Sequence, residues 1–277
     1  MDCTVGIDVG STYTKCVILS ADGKIVSRKL AQTGFKLGEV SERLLNETLT
    51  DSGLKRSDVG YVIATGFGRH QVEDKDAAVT DLTAAARGTA FFFPDTRTVL
   101  DIGGQTMKAS RIDENCKVDS FRLNDKCAAG TGAFLEKTAH YMGFKTEDIG
   151  PLLTTSRESV AISGVCAVFA ESEVINHLSQ GIAPADIMQG AISSLIKRSV
   201  QLMKRVRAEP GYTLVGGLLR FRTMVDEVQD KLGQKVNVPE GDLVQFAAAL
   251  GAAVLGHRRM QQLGMGTGLT VAGAAVA

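Results

Sequence analysis

The chain has 277 residues, of which 44% are hydrophobic and 22% charged, a composition typical of a globular protein large enough for two domains. Lys and Arg total 31, and so do Asp and Glu, so the net charge does not indicate nucleic acid or an anionic membrane as a partner. The start of the chain lacks the basic segment of a secretory signal, and the apolar stretch 246–256 is too short to cross a bilayer. We therefore expect a cytoplasmic protein with no membrane or nucleic-acid partner.

The first predicted element is a β-hairpin around residues 8–15, with an apolar run before Asp8 and a strand-like run after the glycine bend. The motif returns 93 positions later, at 101–108, with the same frame of Asp, aliphatic residue, Gly, small residue, three variable residues and Lys. Glycine lets backbone N–H groups approach phosphate oxygens, and an Asp at a strand end can hold a hydrated Mg²⁺ ion. Two such hairpins facing each other would clamp a polyphosphate. The alternative is two ordinary glycine turns, which a matched pair disfavours.

The elements after each hairpin follow the same order, which indicates a duplication. After the first hairpin we expect a strand at 25–30, a helix at 37–52, a buried strand at 61–64, a glycine-hinged loop at 66–70 and a helix at 82–92. The pattern restarts near Thr98 with the second hairpin and a third strand at 117–123. Beyond it we expect a helix at 185–209, a strand at 213–215 that runs into Gly216 and Gly217, a helix ending near 232, a strand at 236–238 and a closing helix at 243–263.

These elements predict an α/β protein with two similar lobes, at 1–96 and 97–242. The second lobe differs by a cysteine-bearing helical insertion at 124–181. The closing helix is rich in small residues that allow close backbone packing, and the uncharged Gly- and Ala-rich tail at 264–277 is predicted to be flexible.

Two phosphate-type hairpins, a late strand ending in Gly216 and Gly217, and a closing helix resemble the nucleotide-binding fold of actin, sugar kinases and heat-shock chaperone ATPases over about residues 1–263. This resemblance implies a duplicated, two-lobed actin-like (ribonuclease H-like) ATPase fold with mixed sheets flanked by helices. It also implies that the closing helix packs back on the first lobe.

Segments 124–136 and 160–174 are similar to the signatures of one branch of that superfamily: activators of 2-hydroxyacyl-CoA dehydratases and the ATP-binding subunits of benzoyl-CoA reductase. The resemblance implies an ATPase of two identical or homologous subunits that share one [4Fe–4S] cluster at their interface. Reduced ferredoxin or flavodoxin would supply electrons, and reductase or dehydratase subunits that bind a CoA thioester would receive them.

The same resemblance assigns roles to the hairpin residues, with ATP or ADP and Mg²⁺ as ligands. The β-phosphate side would be held by Gly10, Ser11, Thr12 and Lys15, the γ side by Gly103, Gly104 and Gln105, and the adenosine would lie against Gly216 and Gly217. Asp8 and Asp101 would position Mg²⁺ and the attacking water, with Gln105 as a further catalytic residue. The bulky Leu218 and Leu219 depart from the small or amide residues of many relatives, which leaves the side chains that contact the base open. Lys15 has the alternative of a solvated residue at a strand end.

Five cysteines, an odd number, argue against a disulfide framework. Cys127 and Cys166 precede predicted helices in the insertion, where the helix N-terminus favours thiolate. A cubane cluster takes four Cys ligands and this chain offers only two at helix starts, so two chains would share it. Two structural cysteines, or a metal site completed by His140 or His177, are the alternatives. Cys3 and Cys16 lie in strand-like runs and are predicted to be buried, whereas Cys116 lies in a turn and is predicted to be exposed.

The function that these resemblances imply is the coupling of MgATP hydrolysis to low-potential electron transfer. Residues 216–221 look more like benzoyl-CoA reductase subunits, which favours that reading over a homodimeric activator of a 2-hydroxyacyl-CoA dehydratase. A sugar or acyl kinase of the same fold is a third possibility, but a kinase has no use for two cysteines at helix starts.

Overall fold

A computed structural model describes residues 3–125, 130–162 and 167–265. The strands are β1 (Cys3–Val9), β2 (Tyr13–Ser20), β3 (Ile25–Gln32), β4 (Val59–Thr65), β5 (Ala77–Ala78), β6 (Thr98–Ile102), β7 (Met107–Ile112), β8 (Val118–Asn124), β9 (Tyr212–Val215) and β10 (Val236–Asn237). The helices are α1 (Leu37–Ser52), α2 (Asp81–Phe92), α3 (Gly132–Tyr141), α4 (Ile149–Leu153), α5 (Ala167–Ser179), α6 (Pro184–Arg205), α7 (Arg222–Leu232) and α8 (Ala247–Gln262). None of the helices in this part of the chain is long and apolar enough to cross a bilayer.

The described residues fall into two compact units. Unit 1 contains 3–96, 112–118 and 245–265, and unit 2 contains 97–111 and the described part of 119–244. Each unit is built on a five-stranded mixed sheet, in the order β3-β2-β1-β4-β5 in unit 1 and β8-β7-β6-β9-β10 in unit 2. In both, a central strand pairs antiparallel with its hairpin partner and parallel with a later strand. The predicted α/β fold with mixed sheets flanked by helices is confirmed.

The sheet of unit 1 is covered on both faces. Val5, Ile7 and Val9 of β1 alternate along the strand and pack with Leu44 and Leu45 of α1. On the opposite face α8 approaches the backbone of β1 so closely that a Cβ on Gly6 would lie 1.8 Å from the carbonyl oxygen of Ala249. Thr4 Oγ1 donates a hydrogen bond to the carbonyl of Ala253 on the same helix, at 2.7 Å.

Helix α8 starts later than the sequence pattern indicates. Residues 241–245 form a short 3₁₀ turn instead of the first turn of the predicted helix at 243–263, and the α-helix begins at Ala247. In α2, Gly88 allows a similar contact, because its Cβ would lie 1.8 Å from the carbonyl oxygen of Ala247. The small residues of this segment therefore make backbone contacts with both a strand and a helix of unit 1.

Candidate functional site

The two hairpins have the same strand register. Asp8 pairs across the hairpin with Lys15, and Asp101 pairs with Lys108. Each turn is closed by a glycine, since the amide of Gly10 donates to the carbonyl of Tyr13 at 3.1 Å and the amide of Gly103 donates to that of Thr106 at 2.8 Å. The repeat in the sequence is therefore a repeat in backbone geometry as well.

The turn residues lie at the tips of these hairpins. Ser11 and Thr12 occupy the first turn, and Gly104 and Gln105 occupy the second, with Ser11 and Gln105 exposed. A Cβ on Gly10 would lie 2.8 Å from the carbonyl oxygen of Tyr13, so this position requires glycine.

The two turns are anchored differently. Thr33, beyond the end of β3, holds the first turn: its amide donates to the carbonyl of Thr12 and its hydroxyl to the carbonyl of Gly10, each at 2.9 Å. The second turn is held by the first amides of α3. Gly132 N donates to the carbonyl of Gly103 at 3.0 Å, and Ala133 N donates to the carbonyl of Gly104 at 2.7 Å.

Each hairpin carries an ion pair just below its turn. Lys15 Nζ lies 2.9 Å from Asp8 Oδ2, and Lys108 Nζ lies 3.4 Å from Asp101 Oδ2. The side chains of Lys15 and Asp8 are only 16% and 10% exposed, so burial favours a paired arrangement. Lys15 is therefore a paired, mostly buried lysine and not a solvated residue at a strand end.

A glycine with positive φ lies against each aspartate. Gly66 follows β4 with φ +86°, and its Cβ would lie 2.4 Å from Asp8 Oδ1. Gly216 follows β9 with φ +107°, and its Cβ would lie 2.9 Å from Asp101 Oδ1. Gly217 begins the short 3₁₀ turn that comes next. Sequence reasoning selected Gly216 and missed Gly66, although both come directly after the strand that pairs parallel with the Asp-bearing strand.

The predicted cluster ligands Cys127 and Cys166 lie outside the described residues. Their neighbours are described: α5 begins at Ala167, the residue after Cys166, and α3 begins at Gly132. Glu171 of α5 connects the two helices, because its carboxylate accepts from Lys137 Nζ and from the hydroxyl of Tyr141, both at 3.1 Å. Within the described residues, no group of three or more His, Cys, Asp and Glu side chains could hold a metal ion.

The other cysteines differ in environment. Cys16 is fully buried, and burial raises the pKa of its thiol to about 12, although a hydrogen bond with Thr48 acts in the opposite direction. Cys3 is partly buried. Cys116 is also partly buried, against Arg87, so the prediction of an exposed thiol is wrong. Cys116 has a left-handed backbone conformation, with φ +58°, which the sequence pattern does not predict.

Comparison with solved structures identifies the fold. The activator of the 2-hydroxyisocaproyl-CoA dehydratase from Clostridium difficile, solved with bound ADPNP, superimposes with a TM-score of 0.88 at 36% identity, over 95% of this chain and 97% of that one. The chain therefore has the duplicated actin-like ATPase fold that its sequence predicts.

The family follows from a match over residues 5–256: the chain belongs to the BadF/BadG/BcrA/BcrD ATPase family. It is 39% identical to the 2-hydroxyisocaproyl-CoA dehydratase activator of Clostridioides difficile, over 91% of this chain and 93% of the relative. It is 34% identical to a subunit of the benzoyl-CoA reductase of Thauera aromatica, over 95% of this chain and 97% of the relative. Both branches expected from segments 124–136 and 160–174 are thus represented among its relatives.

Proposed function

We propose that this protein hydrolyses MgATP and uses the cycle to activate a CoA-thioester enzyme by low-potential electron transfer. Family membership and the named activities of the relatives support this proposal. A second copy of this chain would be its ATPase partner, and reduced ferredoxin or flavodoxin its electron donor.

The hairpins supply the groups that a magnesium nucleotide requires. Backbone amides of the turn residues would bind phosphate oxygens, with Gly10, Ser11, Thr12 and Lys15 on the β-phosphate side and Gly103, Gly104 and Gln105 on the γ side. Asp8 and Asp101 fit a role in holding Mg²⁺, because this ion is usually bound by one or two carboxylates together with phosphate oxygens and water. A separate cage of three acidic residues is not needed. Gly216 and Gly217 would lie against the adenosine.

The cysteines fit a shared cluster by their number and by their places in the sequence. Cys166 lies directly before α5, where the helix N-terminus favours thiolate, and two chains together would offer the four thiolates of a cubane. When bound, the cluster would supply one-electron transfer. Glu171 would hold α3 and α5, the helices after the two cysteines, in a fixed relation to each other.

The observation that carries the proposed coupling is the pair of hydrogen bonds from α3 to the second hairpin. Because the amides of Gly132 and Ala133 bond to the carbonyls of Gly103 and Gly104, a change in the turn that contacts the γ-phosphate must change the start of α3. That helix comes after the segment with Cys127. The nucleotide can shift this equilibrium only by its different affinities for the two arrangements, so hydrolysis would supply the difference that resets the protein.

We infer that the partner enzyme is a 2-hydroxyacyl-CoA dehydratase, since the activator relative is the more similar of the two relatives. A benzoyl-CoA reductase remains the second candidate, carried by the resemblance of residues 216–221. Residues 216–221 favoured the reductase, but the comparisons do not single out the reductase among the relatives.

Iron analysis of anaerobically purified protein tests the redox proposal. We expect a brown protein with about four irons per two ATPase chains. Cys127→Ser and Cys166→Ser should lose the colour and still bind MgADP, whereas the control Cys16→Ala should keep the iron. Full iron content in Cys127→Ser would refute the cluster assignment and favour a kinase. The number of chains that co-purify with the protein from its native host would distinguish a transient activator from a permanent reductase subunit.

A further inference from the structure

Thr65 carries a buried side-chain hydroxyl in unit 1. It is the last residue of β4 and is fully buried, and its Oγ1 has no hydrogen-bond partner among the described residues. Buried polar groups in folded proteins are nearly always hydrogen-bonded, because an unpaired one loses its interaction with water without replacement. A valine of almost the same shape would fill this position without that loss. Packing alone therefore does not explain a hydroxyl at this position.

The position of Thr65 suggests the partner. Thr65 is the register partner of Asp8 on the neighbouring parallel strand, and paired residues on adjacent strands lie about 4.8 Å apart on the same face of a sheet. Oδ2 of Asp8 bonds to Lys15 on one side. Oδ1 lies on the other side, against Gly66, the residue after Thr65. One carboxylate oxygen is thus directed toward β2 and the other toward the end of β4.

Unit 2 lacks this hydroxyl at the corresponding position. Asp101 pairs in register with Val215, which is buried at the end of β9. The sheet edge therefore accepts valine at this position, and a hydroxyl beside the aspartate is particular to unit 1.

We propose that Thr65 is a positioning residue that replaces Lys15 as a partner of Asp8 when nucleotide binds. This inference rests on the proposed function, in which Lys15 bonds to the β-phosphate side of the nucleotide. Once Lys15 turns to the phosphate, the largely buried Asp8 carboxylate loses its donor. The Thr65 hydroxyl would then donate to Oδ1 and keep the Asp8 carboxylate in the orientation in which it could bind a hydrated Mg²⁺ ion, since hydrogen bonds to a charged group are stronger than those between neutral groups.

The test compares Thr65→Val with Thr65→Ser in nucleotide binding and in thermal unfolding. Without nucleotide, Thr65→Val should melt at the same temperature as the wild type or higher, because it removes a buried hydroxyl that has no hydrogen-bond partner among the described residues. Its Kd for MgADP, measured by calorimetry, should rise about tenfold, the loss expected for one hydrogen bond to a charged group. Thr65→Ser keeps the hydroxyl and should bind like the wild type. If the valine variant does not fold, Thr65→Ala provides the binding comparison, although it should melt at a lower temperature because it also removes a buried methyl group.

Thr89→Val is the matched control, since Thr89 is equally buried but its hydroxyl donates to the carbonyl of Ala85 at 2.8 Å. It should melt at a lower temperature and bind MgADP normally. In an Asp8→Asn background Thr65→Val should cause no further loss, because Thr65 acts through Asp8.

The outcomes separate the two proposals. A wild type that does not bind MgADP refutes the proposed function. If the wild type binds MgADP and Thr65→Val binds it equally well, only the role of Thr65 is refuted. The same holds if Thr65→Val weakens MgADP binding as much in the Asp8→Asn background as in the wild type.

Discussion

The two hairpins agree at their turns and differ on the sheet faces behind them. Asp, Gly and Lys recur in the same register, with an ion pair in each copy. Gly6, two residues before Asp8, corresponds to the buried Val99 in the second copy. Gly6 is required because α8 lies against its backbone. The duplicated motif is thus retained where a ligand would bind, whereas the packing face has diverged with the element that covers it.

The anchoring of the turns differs in a way that bears on mechanism. Thr33 fixes the first turn from within the same three-stranded meander. The second turn is fixed by α3, which belongs to the insertion that only unit 2 contains. The first turn is therefore held within its own sheet, whereas a change in the second turn would move the start of α3 in unit 2. Under the proposed function, the first hairpin would hold a phosphate in place and the second would pass a change in its turn to α3.

Exchanging the residues at the diverged position should have the largest effect. In Gly6→Val, the new Cβ would meet the carbonyl oxygen of Ala249 at 1.8 Å, and we expect a loss of stability above about 4 kcal/mol and insoluble protein. The reverse change, Val99→Gly, removes three buried carbons and should cost about 2 to 3 kcal/mol while the protein still folds. Denaturant titration of the soluble fraction measures both. A stable Gly6→Val protein would contradict the placement of α8.

The aspartates test whether the two turns have different roles. Asp101→Asn should lower ATP turnover on the order of a hundredfold, because this residue would position the attacking water, while ADP binding is largely kept. Asp8→Asn should mainly weaken MgADP binding, because its carboxylate would hold the cation on the β-phosphate side. Steady-state hydrolysis and calorimetric titration measure the two effects. Unchanged turnover in Asp101→Asn would move the catalytic role elsewhere.

The sequence predicts those parts of the site that depend on local pattern. The hairpins, the repeat at 93 positions and the place of Gly216 directly after the strand at 213–215 follow from glycine bends and strand periodicity within short segments. The ion pair of Lys15 with Asp8 requires the strand register, and the contact of Gly66 with Asp8 requires a parallel pairing between distant strands. Neither can be read from spacing. The late start of α8 is also not evident from the sequence, because residues 243–245 fit the helical pattern but lie in a 3₁₀ turn.

A smaller effect is expected at Asp186, which holds residues 156–158 of the insertion in unit 2. Its carboxylate accepts from the amides of Arg157 and Glu158 and from the hydroxyl of Ser156, and these bonds hold the pKa of Asp186 below its ordinary value, the backbone amides contributing most. A lowered pKa means that this stabilisation is present above about pH 4 and is lost as the pH falls through the folded value.

Asp186→Asn should speed amide exchange in residues 156–160 several-fold near neutral pH, as measured by hydrogen exchange with mass spectrometry. The first hairpin, in unit 1, should exchange as in the wild type. Equal protection of 156–160 in the variant and the wild type would show that Asp186 does not anchor this segment.

The smallest effect on function is expected at Cys16, whose counterpart in unit 2 is the equally buried Ala109. Cys16→Ala makes the two copies alike at this position and should lower the free energy of unfolding by about 1 kcal/mol for the lost buried sulfur, with unchanged iron content and nucleotide binding.

Burial raises the pKa of the Cys16 thiol from 9.0 to about 12, so the unfolded chain loses this proton at a lower pH than the folded protein. The stabilisation that the neutral Cys16 thiol gives the folded state is therefore fully present below about pH 9 and is lost as the pH rises toward 12. Part of the alkaline loss of stability should disappear in Cys16→Ala, which denaturant titrations at pH 8 and pH 10 would measure. An unchanged alkaline loss, or rapid alkylation of Cys16 in the native protein, would show that the thiol is not held neutral in the core.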